Sequence, residues 1–125
     1  MNKPIFSDLA PKAIGPYSQA IDCGDFLFVS GQLPVDPVTG NMEKNDIKIQ
    51  TKRSLDNVIA IANEAGYFKS DVVKCTVYLK NLNDFSQMNE VYQEFFSNHR
   101  PARVALEVAR LPKDALVEID AICHK

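Results

Sequence analysis

The sequence predicts an α+β domain in which two helices pack on one face of a mixed β-sheet. Two observations favour this class. Segments with alternating apolar residues, typical of strands, lie at the start, middle and end of the chain, and two segments with apolar residues at helical spacing separate them. The 125 residues are 46% apolar and 24% charged and contain no repeat or linker, which indicates one globular domain over residues 1–125.

The first two strands are predicted in the segment YSQAIDCGDFLFVSGQLP, residues 17–34. A Cys-Gly pair at residues 23–24 indicates a two-residue hairpin loop between them. In that register Tyr17 lies directly opposite Ser30. Residues 35–45 then form a loop that is rich in turn-forming residues.

The first helix is predicted to follow Asn45 or Asp46, since either side chain can act as its N-cap. Gly66 is expected to end the helix, because glycine readily adopts the left-handed conformation found after a helix. The residues of its buried face are Ile47, Thr51, Leu55, Val58, Ile59, Ala62 and Ala65.

The segment SDVVKCTVYLK, residues 70–80, is predicted to form the third strand. Its residues alternate in polarity, so one side of this strand is expected to face the core. That side comprises Val73, Cys75, Val77 and Leu79.

The second helix is expected to begin at Asp84, with Gln87 in the capping-box position, and to end before Pro101. Five apolar residues at helical spacing predict its buried stripe. They are Phe85, Met88, Tyr92, Phe95 and Phe96.

The last two strands are predicted in RPARVALEVARLPKDALVEIDAI, residues 100–122, as a hairpin with its turn at residues 112–114. Alternation places Arg103, Glu107, Glu118 and Asp120 on one face and the Val and Ile residues on the other. In this register residue 107 lies opposite residue 118, and Arg103 is about 13 Å from Glu118 along the strand. The two side chains would therefore share a small ligand only across a subunit interface.

Two helices cover only one face of a sheet, so the other face must meet water or another chain. The many apolar residues predicted on it favour association with another copy. These residues are Phe26, Phe28, Tyr78, Ala105, Ala109, Leu116 and Ile122, with Tyr17 and Ser30 at the margin.

The charge pattern excludes several classes of partner. The net charge is −2 and the longest basic run is the Lys52-Arg53 pair, which argues against binding nucleic acid or an anionic membrane.

No segment has the length or composition of an export signal or a membrane span, so we expect a cytoplasmic location.

Neither a disulfide framework nor a metal site is indicated. The three cysteines are widely spaced and form no CxxC pair, and neither histidine has a partner at ligand spacing. The residues concerned are Cys23, Cys75, Cys123, His99 and His124.

Considered singly, the polar residues of the predicted strands and helices allow purely structural interpretations. Arg103 could form a salt bridge with Glu107 or Asp120, and Glu118 could be a solvated strand residue. The remaining polar candidates could contribute only packing or surface hydrogen bonds. These are Tyr17, Ser30 and Asn89.

Taken together, the motifs resemble the Rid family of reactive intermediate deaminases, also called the YjgF family, and most closely its RidA subgroup. The resemblance spans nearly the whole chain, and the C-terminal PAR…VARLPK…VEI block is its most specific part. The matching segments are AIGPYSQA (13–20), FVSGQLPVDPVTG (28–40), SLDNVIAIANEAG (54–66), VVKCTVYLKNLNDF (72–85), MNEVYQEFF (88–96) and PARVALEVARLPKDALVEIDAI (101–122).

This resemblance implies a chorismate-mutase-like α+β subunit that assembles as a homotrimer with clefts between neighbouring subunits. It also implies hydrolysis of reactive enamines and imines, such as 2-aminoacrylate, to 2-keto acids and ammonia. These intermediates are released by pyridoxal-phosphate-dependent serine and threonine dehydratases. No cofactor of the deaminase itself is implied.

The family motif implies a role for each matching residue. Arg103 is expected to hold the substrate carboxylate as a planar clamp, and Glu118 to orient and activate the attacking water. Backbone groups at Gly31 and Ala105 could bind the amine or the water. The other residues expected to line the cleft are Tyr17, Ser30 and Asn89.

The chain departs from the family pattern at two positions. Ala105 stands where RidA proteins often carry cysteine, so no thiol chemistry is available there. Arg100 stands where many relatives have an aromatic or apolar residue, which affects the expected substrate size rather than the reaction type.

Three other functions are compatible with parts of the pattern. The clefts could bind small carboxylates without turnover, or the protein could act on RNA or on client proteins, although it lacks a basic patch. A chorismate mutase is suggested by fold alone, but too few cations converge for a dicarboxylate.

Overall fold

The computed structural model describes residues 2–125, which form six strands and two helices. The strands are β1 (Lys3–Ile5), β2 (Ala20–Asp22), β3 (Phe26–Gln32), β4 (Val72–Leu79), β5 (Ala102–Glu107) and β6 (Val117–His124). The helices are α1 (Ile47–Glu64) and α2 (Phe85–Phe96). Strand β1 was not predicted, because its three residues include a proline and show no alternation.

All six strands form one sheet in the order β1-β2-β3-β6-β4-β5, in which β4 and β5 are parallel and the other neighbours are antiparallel. Helix α2 joins β4 to β5, and helix α1 joins β3 to β4. In the sheet, β6 lies between β3 and β4. The buried residues of the sheet and both helices form one core cluster. The predicted α+β class, with two helices on one face of a mixed sheet, is confirmed.

Both ends of α1 were predicted correctly. The Asp46 carboxylate accepts hydrogen bonds from the backbone N–H groups of Lys48 at 2.9 Å and Ile49 at 3.1 Å, as an N-cap does. Gly66 has a φ of 84°, and its N–H donates to the Asn63 carbonyl at 3.0 Å.

Helix α2 begins differently from the prediction. A 3₁₀ turn, Leu82–Asp84, precedes it, and the Asp84 side chain makes no capping hydrogen bond. The Asn81 side chain caps the turn instead, accepting from the Asn83 N–H at 2.9 Å. The predicted capping box with Gln87 is therefore wrong, whereas the stripe is confirmed, with Met88, Tyr92 and Phe96 buried.

The loop of the N-terminal hairpin lies one residue later than predicted, which shifts the strand pairing by two residues. The Cys23 N–H donates to the Phe26 carbonyl at 2.7 Å, so the two loop residues are Gly24 and Asp25. Gly24 has a φ of 96°, which an L-residue rarely adopts, and this requirement sets the register. Gln19, not Tyr17, consequently lies opposite Ser30.

The predicted hairpin of the last two strands is wrong. Strand β5 pairs in parallel with β4, and β6 pairs with the opposite edge of β4. The turn at residues 112–114 therefore belongs to a connection that carries the chain past β4 rather than to a tight hairpin. Because β4 and β5 are adjacent parallel strands joined by a helix, they form a β-α-β unit, which the local turn signal did not reveal.

This topology also reverses the predicted faces of β5. Arg103 and Ala105 pair with Cys75 and Val77, whose side chains are buried beneath the helices. Val104 and Leu106 lie on the open face, and their exposed fractions are 45% and 37%. Apolar residues of β5 thus face away from the core of their own chain.

The open face of the sheet carries apolar residues, as predicted, together with the charged residues Glu118 and Asp120. Phe26 and Phe28 are exposed on it, and Tyr78 and Ile122 are half-buried there. Three of the residues predicted to lie on this face lie elsewhere. Ala105 and Leu116 pack partly against the core, and Ala109 lies in the connection after β5.

The core-facing side of β4 was assigned correctly except at its start. Val73 has an exposed fraction of 40%, because the pairing of β4 with β6 is irregular between Val72 and Lys74. The irregularity turns Val73 outwards and buries Val72 in its place.

Candidate functional site

A β-bulge in β3 shapes the first part of the site. Val29 pairs with Ala121 and Gln32 pairs with Ile119, so Ser30 and Gly31 together oppose the single residue Asp120. Such a bulge bends the strand and redirects its side chains. It brings the backbone of Gly31 against the side chain of the neighbouring strand β6.

Glu118 packs directly on Gly31. A Cβ atom at position 31 would overlap the Glu118 carboxylate oxygen and would lie 3.0 Å from its Cδ. Half-burial raises the pKa of Glu118, and the nearby Asp120 carboxylate raises it further. A carboxylate with a raised pKa is a better proton acceptor than a fully solvated one.

The two acidic residues of β6 have different surroundings. The Asp120 carboxylate accepts hydrogen bonds from the Thr76 N–H at 3.0 Å and from the Tyr78 hydroxyl at 3.1 Å. Asp120 therefore has a structural role, as does Glu107, which accepts from the Leu82 N–H at 2.8 Å. Glu118 instead borders an open cleft.

This cleft has a volume of about 910 Å³ and lies between the N-terminal segment, the bulge and the connection before β6. Tyr17 is 51% exposed beside it, and the Ser30 hydroxyl donates to the Ser18 carbonyl at 2.7 Å. Four of the residues that line the cleft were predicted as site residues, and we call this group the Glu118 half-site. They are Tyr17, Ser30, Gly31 and Glu118.

Arg103 lies in a second cluster on α2. Its Nη1 donates to the Asn89 Oδ1 at 2.7 Å, and its guanidinium carbon lies 5.4 Å from the ring centre of Phe85 and 4.8 Å from that of Tyr92. Among residues 2–125, no carboxylate lies within 4.0 Å of it. The alternative that Arg103 forms a salt bridge with Glu107 or Asp120 is therefore wrong.

The backbone N–H of Ala105 is available beside Arg103. Strand β5 is the edge of the sheet, and the Val108 N–H donates to the Leu79 carbonyl on β4 at 2.9 Å. Backbone groups alternate along a strand, so the N–H groups of residues 103 and 105 point to the open edge. We call Asn89, Arg103 and Ala105 the Arg103 half-site.

The two half-sites are well separated within one chain. Arg103 and Ala121 both align with Cys75, which places Glu118 two strands across and three residues along from Arg103. Standard strand spacings give about 14 Å between their Cα atoms. The side chains also point to opposite faces of the sheet, whereas the predicted hairpin put both of them on one face.

Sequence reasoning missed the contacts of Phe85 and Tyr92 with Arg103. Both residues were assigned only to the apolar stripe of α2. Phe85 lies four residues before Asn89 and Tyr92 three residues after it, so all three side chains are on one side of α2. This spacing was the signal in the sequence that could have linked them to Arg103.

Other kinds of site were also sought. Within residues 2–125, no three His, Cys, Asp or Glu side chains are grouped as a metal site would need. In the same part of the chain, neither helix combines the length and the apolar character that a membrane span requires.

We predict that Gly31→Ala lowers any activity that depends on the Glu118 carboxylate about 100-fold while changing Tm little, because the new methyl group displaces the flexible end of that side chain. Gly24→Ala is the matched control. Gly24 has open space around it but a φ of 96°, so this change should lower Tm and leave that activity unchanged. Activity measurements and thermal unfolding of both variants would test the pair, and unchanged activity in Gly31→Ala would contradict a role for the Glu118 carboxylate in this cleft.

The sheet, with its two helical connections on one face, defines a class of small α+β domains. Within that class the chain belongs to the Endoribonuclease L-PSP family, whose sequence model matches residues 7–125.

Named relatives agree with this assignment. The chain is 59% identical over 125 residues to a RutC family protein of Pyrococcus horikoshii, covering 100% of this chain and 99% of the relative. It is 50% identical over 125 residues to the 2-iminobutanoate/2-iminopropanoate deaminase of Escherichia coli K12, covering 98% and 97%. The resemblance to the reactive intermediate deaminases is thereby confirmed.

A solved structure has the same fold. The crystal structure of Escherichia coli TdcF with bound serine matches with a TM-score of 0.95 and 47% identity, covering 98% of each chain.

Proposed function

We propose that this protein is a 2-iminobutanoate/2-iminopropanoate deaminase, which hydrolyses reactive enamines and imines such as 2-aminoacrylate to 2-keto acids and ammonia. One observation carries the proposal. Arg103 is held by α2 without a carboxylate partner in residues 2–125, so it is free to bind the carboxylate of a small ligand. The 50% identity to a deaminase of that name supports the same reaction.

The substrate carboxylate binds at the Arg103 half-site in this proposal. The planar guanidinium offers parallel N–H donors to two oxygens, and the Ala105 N–H at the strand edge adds a third. Asn89 already occupies Nη1, which leaves the remaining guanidinium donors for the ligand. The bound serine of TdcF is a small carboxylate and supports this ligand class.

Glu118 handles water and protons in this mechanism. The enamine tautomerises to an imine, and water adds to the imine carbon while Glu118 accepts one of its protons. That proton passes to the imine nitrogen, which gives a carbinolamine. Glu118 then takes the carbinolamine hydroxyl proton as the C=O bond forms and delivers it to the departing nitrogen, so the C–N bond breaks and ammonia and the keto acid are released. The carboxylate is regenerated, so water is the only co-reactant.

The remaining residues of the Glu118 half-site shape the place where water and substrate meet. Gly31 provides the space for the Glu118 carboxylate, and Ser30 is held by its hydrogen bond to the Ser18 carbonyl. Tyr17 lies exposed at the cleft and covers the substrate from the solvent side.

A complete cleft in this proposal combines the Arg103 half-site of one subunit with the Glu118 half-site of its neighbour in a homotrimer. The separation of about 14 Å and the opposite orientation of the two side chains support this arrangement. The apolar open face, with Phe28 and Leu106 exposed, supports association between copies.

Subunit mixing tests this arrangement. Arg103→Ala and Glu118→Gln subunits should each be inactive alone. When they are denatured together at equal amounts and refolded, random pairing of intact half-sites should restore about one quarter of the wild-type rate. Refolding each variant separately is the control, and a mixture with no recovered activity would contradict the shared cleft.

The proposed activity itself is tested in a coupled assay. A serine or threonine dehydratase generates the enamine, and keto-acid formation is followed with and without the protein. We expect faster release with both dehydratases. Bound 2-ketobutyrate without any acceleration would favour a non-catalytic carboxylate-binding module, and RNA cleavage without acceleration would favour a nuclease.

A further inference from the structure

We infer that Tyr92, together with Phe85, is a positioning residue that fixes the plane of the Arg103 guanidinium for carboxylate binding. The inference rests on the proposed function and deepens it. Three residues of α2 contact Arg103, and they are spaced so that they lie on one side of the helix. We call Phe85, Asn89 and Tyr92 the α2 cradle.

The α2 cradle fixes the orientation of the Arg103 guanidinium, which in other proteins is often done by a salt bridge. Asn89 accepts one hydrogen bond from Nη1 at 2.7 Å, which fixes a single point of the guanidinium. A single hydrogen bond leaves rotation about that contact open. The rings of Tyr92 and Phe85, centred 4.8 Å and 5.4 Å from the guanidinium carbon, restrict this rotation. Aromatic faces attract a cation without forming conventional hydrogen bonds, so the other N–H donors of Arg103 stay free for a ligand.

Tyr92 is well suited to hold a fixed position. Its exposed fraction is 7%, and its ring packs against Phe96 with ring centres 4.9 Å apart. Its hydroxyl is buried beside the Cys75 thiol and makes no hydrogen bond of standard geometry among residues 2–125, and it does not contact Arg103 through a hydrogen bond. The ring, not the hydroxyl, is therefore the part of Tyr92 that serves Arg103.

The buried hydroxyl does not take part in proton transfer. Burial raises the pKa of Tyr92 well above its ordinary value, so the phenol stays neutral over the pH range of the reaction. This separates Tyr92 from Glu118, the group that accepts the proton. A role in orientation predicts that phenylalanine can replace Tyr92 but leucine cannot.

Calorimetric titration with 2-ketobutyrate tests the inference without requiring turnover. Tyr92→Leu should weaken binding about tenfold, and Phe85→Leu should weaken it less because its ring lies farther from the guanidinium. Tyr92→Phe should restore near wild-type affinity. Phe95→Leu is the matched control, since Phe95 lies on the same helix but contacts Lys69 rather than Arg103.

A double-mutant cycle separates orientation from general packing. In an Arg103→Lys background the cation has no plane to orient, so adding Tyr92→Leu should weaken 2-ketobutyrate binding less than twofold. An equal loss in both backgrounds, an equal loss in Phe95→Leu, or unchanged binding in Tyr92→Leu would each overturn the inference. If Tyr92→Leu does not fold, Phe85→Leu in the same two backgrounds decides.

The outcomes for the two proposals differ. Wild-type protein that binds 2-ketobutyrate but does not accelerate keto-acid release contradicts the deaminase activity and still allows the cradle to be tested. Normal turnover in Tyr92→Leu contradicts the cradle alone. Wild-type protein that does not bind 2-ketobutyrate would overturn the cradle inference.

Discussion

Arg103→Ala should lower the rate of keto-acid release at least 100-fold, because the variant loses the charged hydrogen bonds to the substrate carboxylate. Arg103 has no ion-pair partner in residues 2–125, so its removal leaves no buried acid unpaired. The fold should therefore persist. The coupled dehydratase assay, with Tm measured in parallel, gives both quantities.

Two further variants sharpen this test. Arg103→Lys keeps the charge but loses the planar fork, so it should recover only a small part of the activity. Lys52→Ala removes an exposed cation from α1, where Lys52 contacts Asp56, and should behave as wild type. A loss of similar size in both alanine variants would show that overall charge, not a carboxylate clamp, governs the rate.

Glu118→Gln should lower kcat about 100- to 10,000-fold and change KM little, because glutamine can hold a water molecule but cannot accept its proton. Glu90→Gln is the matched control. Glu90 is an exposed residue of α2 that pairs with Lys48, and its neutralisation should leave kcat unchanged. If Glu118→Gln retained wild-type kcat, Glu118 would not be the proton acceptor.

The pH dependence gives an independent test of Glu118. A proton acceptor must be ionised, so activity should fall as pH falls through its pKa. Burial and Asp120 raise that pKa, so the acid limb of the kcat profile should lie above the pH at which a solvated glutamate titrates. This limb should be missing from the residual activity of Glu118→Gln.

The same pKa shift predicts an effect on stability. An acid whose pKa is higher in the folded state favours folding when it is protonated, and this contribution is lost as pH rises through the folded-state pKa. Glu118→Gln should therefore raise Tm at neutral pH, where the wild-type carboxylate is ionised. The gain should shrink when thermal unfolding is measured in acid.

Local signals were sufficient to predict the helices. Asp46 and Gly66 are a good N-cap and a good C-terminal stop in almost any helix, because each acts on its own backbone neighbours. The same reasoning failed at Asp84, where the Asn81 side chain caps a preceding 3₁₀ turn. Competing caps a few residues apart look alike in a sequence.

Strand order could not be predicted in the same way. The turn at residues 112–114 resembles a hairpin turn, but the partner of β5 is selected by the helix that joins it to β4. The face of β5 was misassigned because Val104 and Leu106 are apolar although they are exposed. Hydrophobic alternation identifies the core only where the other face is polar.

The candidate residues were chosen by residue type and by the family resemblance, but their geometry was beyond the sequence. The family resemblance selected Arg103 and Glu118, whereas alternation alone put them on one face. The bulge at Ser30 and Gly31 needs a partner strand to be recognised, and that partner, β6, is some 90 residues away along the chain. Long-range pairing was therefore the missing information.

The contact between Gly31 and Glu118 makes these two positions one mutational unit. The space requirement at position 31 exists only while residue 118 carries a long acidic side chain, since the backbone there does not demand glycine. Once Glu118 is replaced by a shorter residue, adding alanine at position 31 should cause no further loss of the residual activity. A related chain with a side chain at position 31 would thus be expected to have lost its acid as well, and with it the reaction.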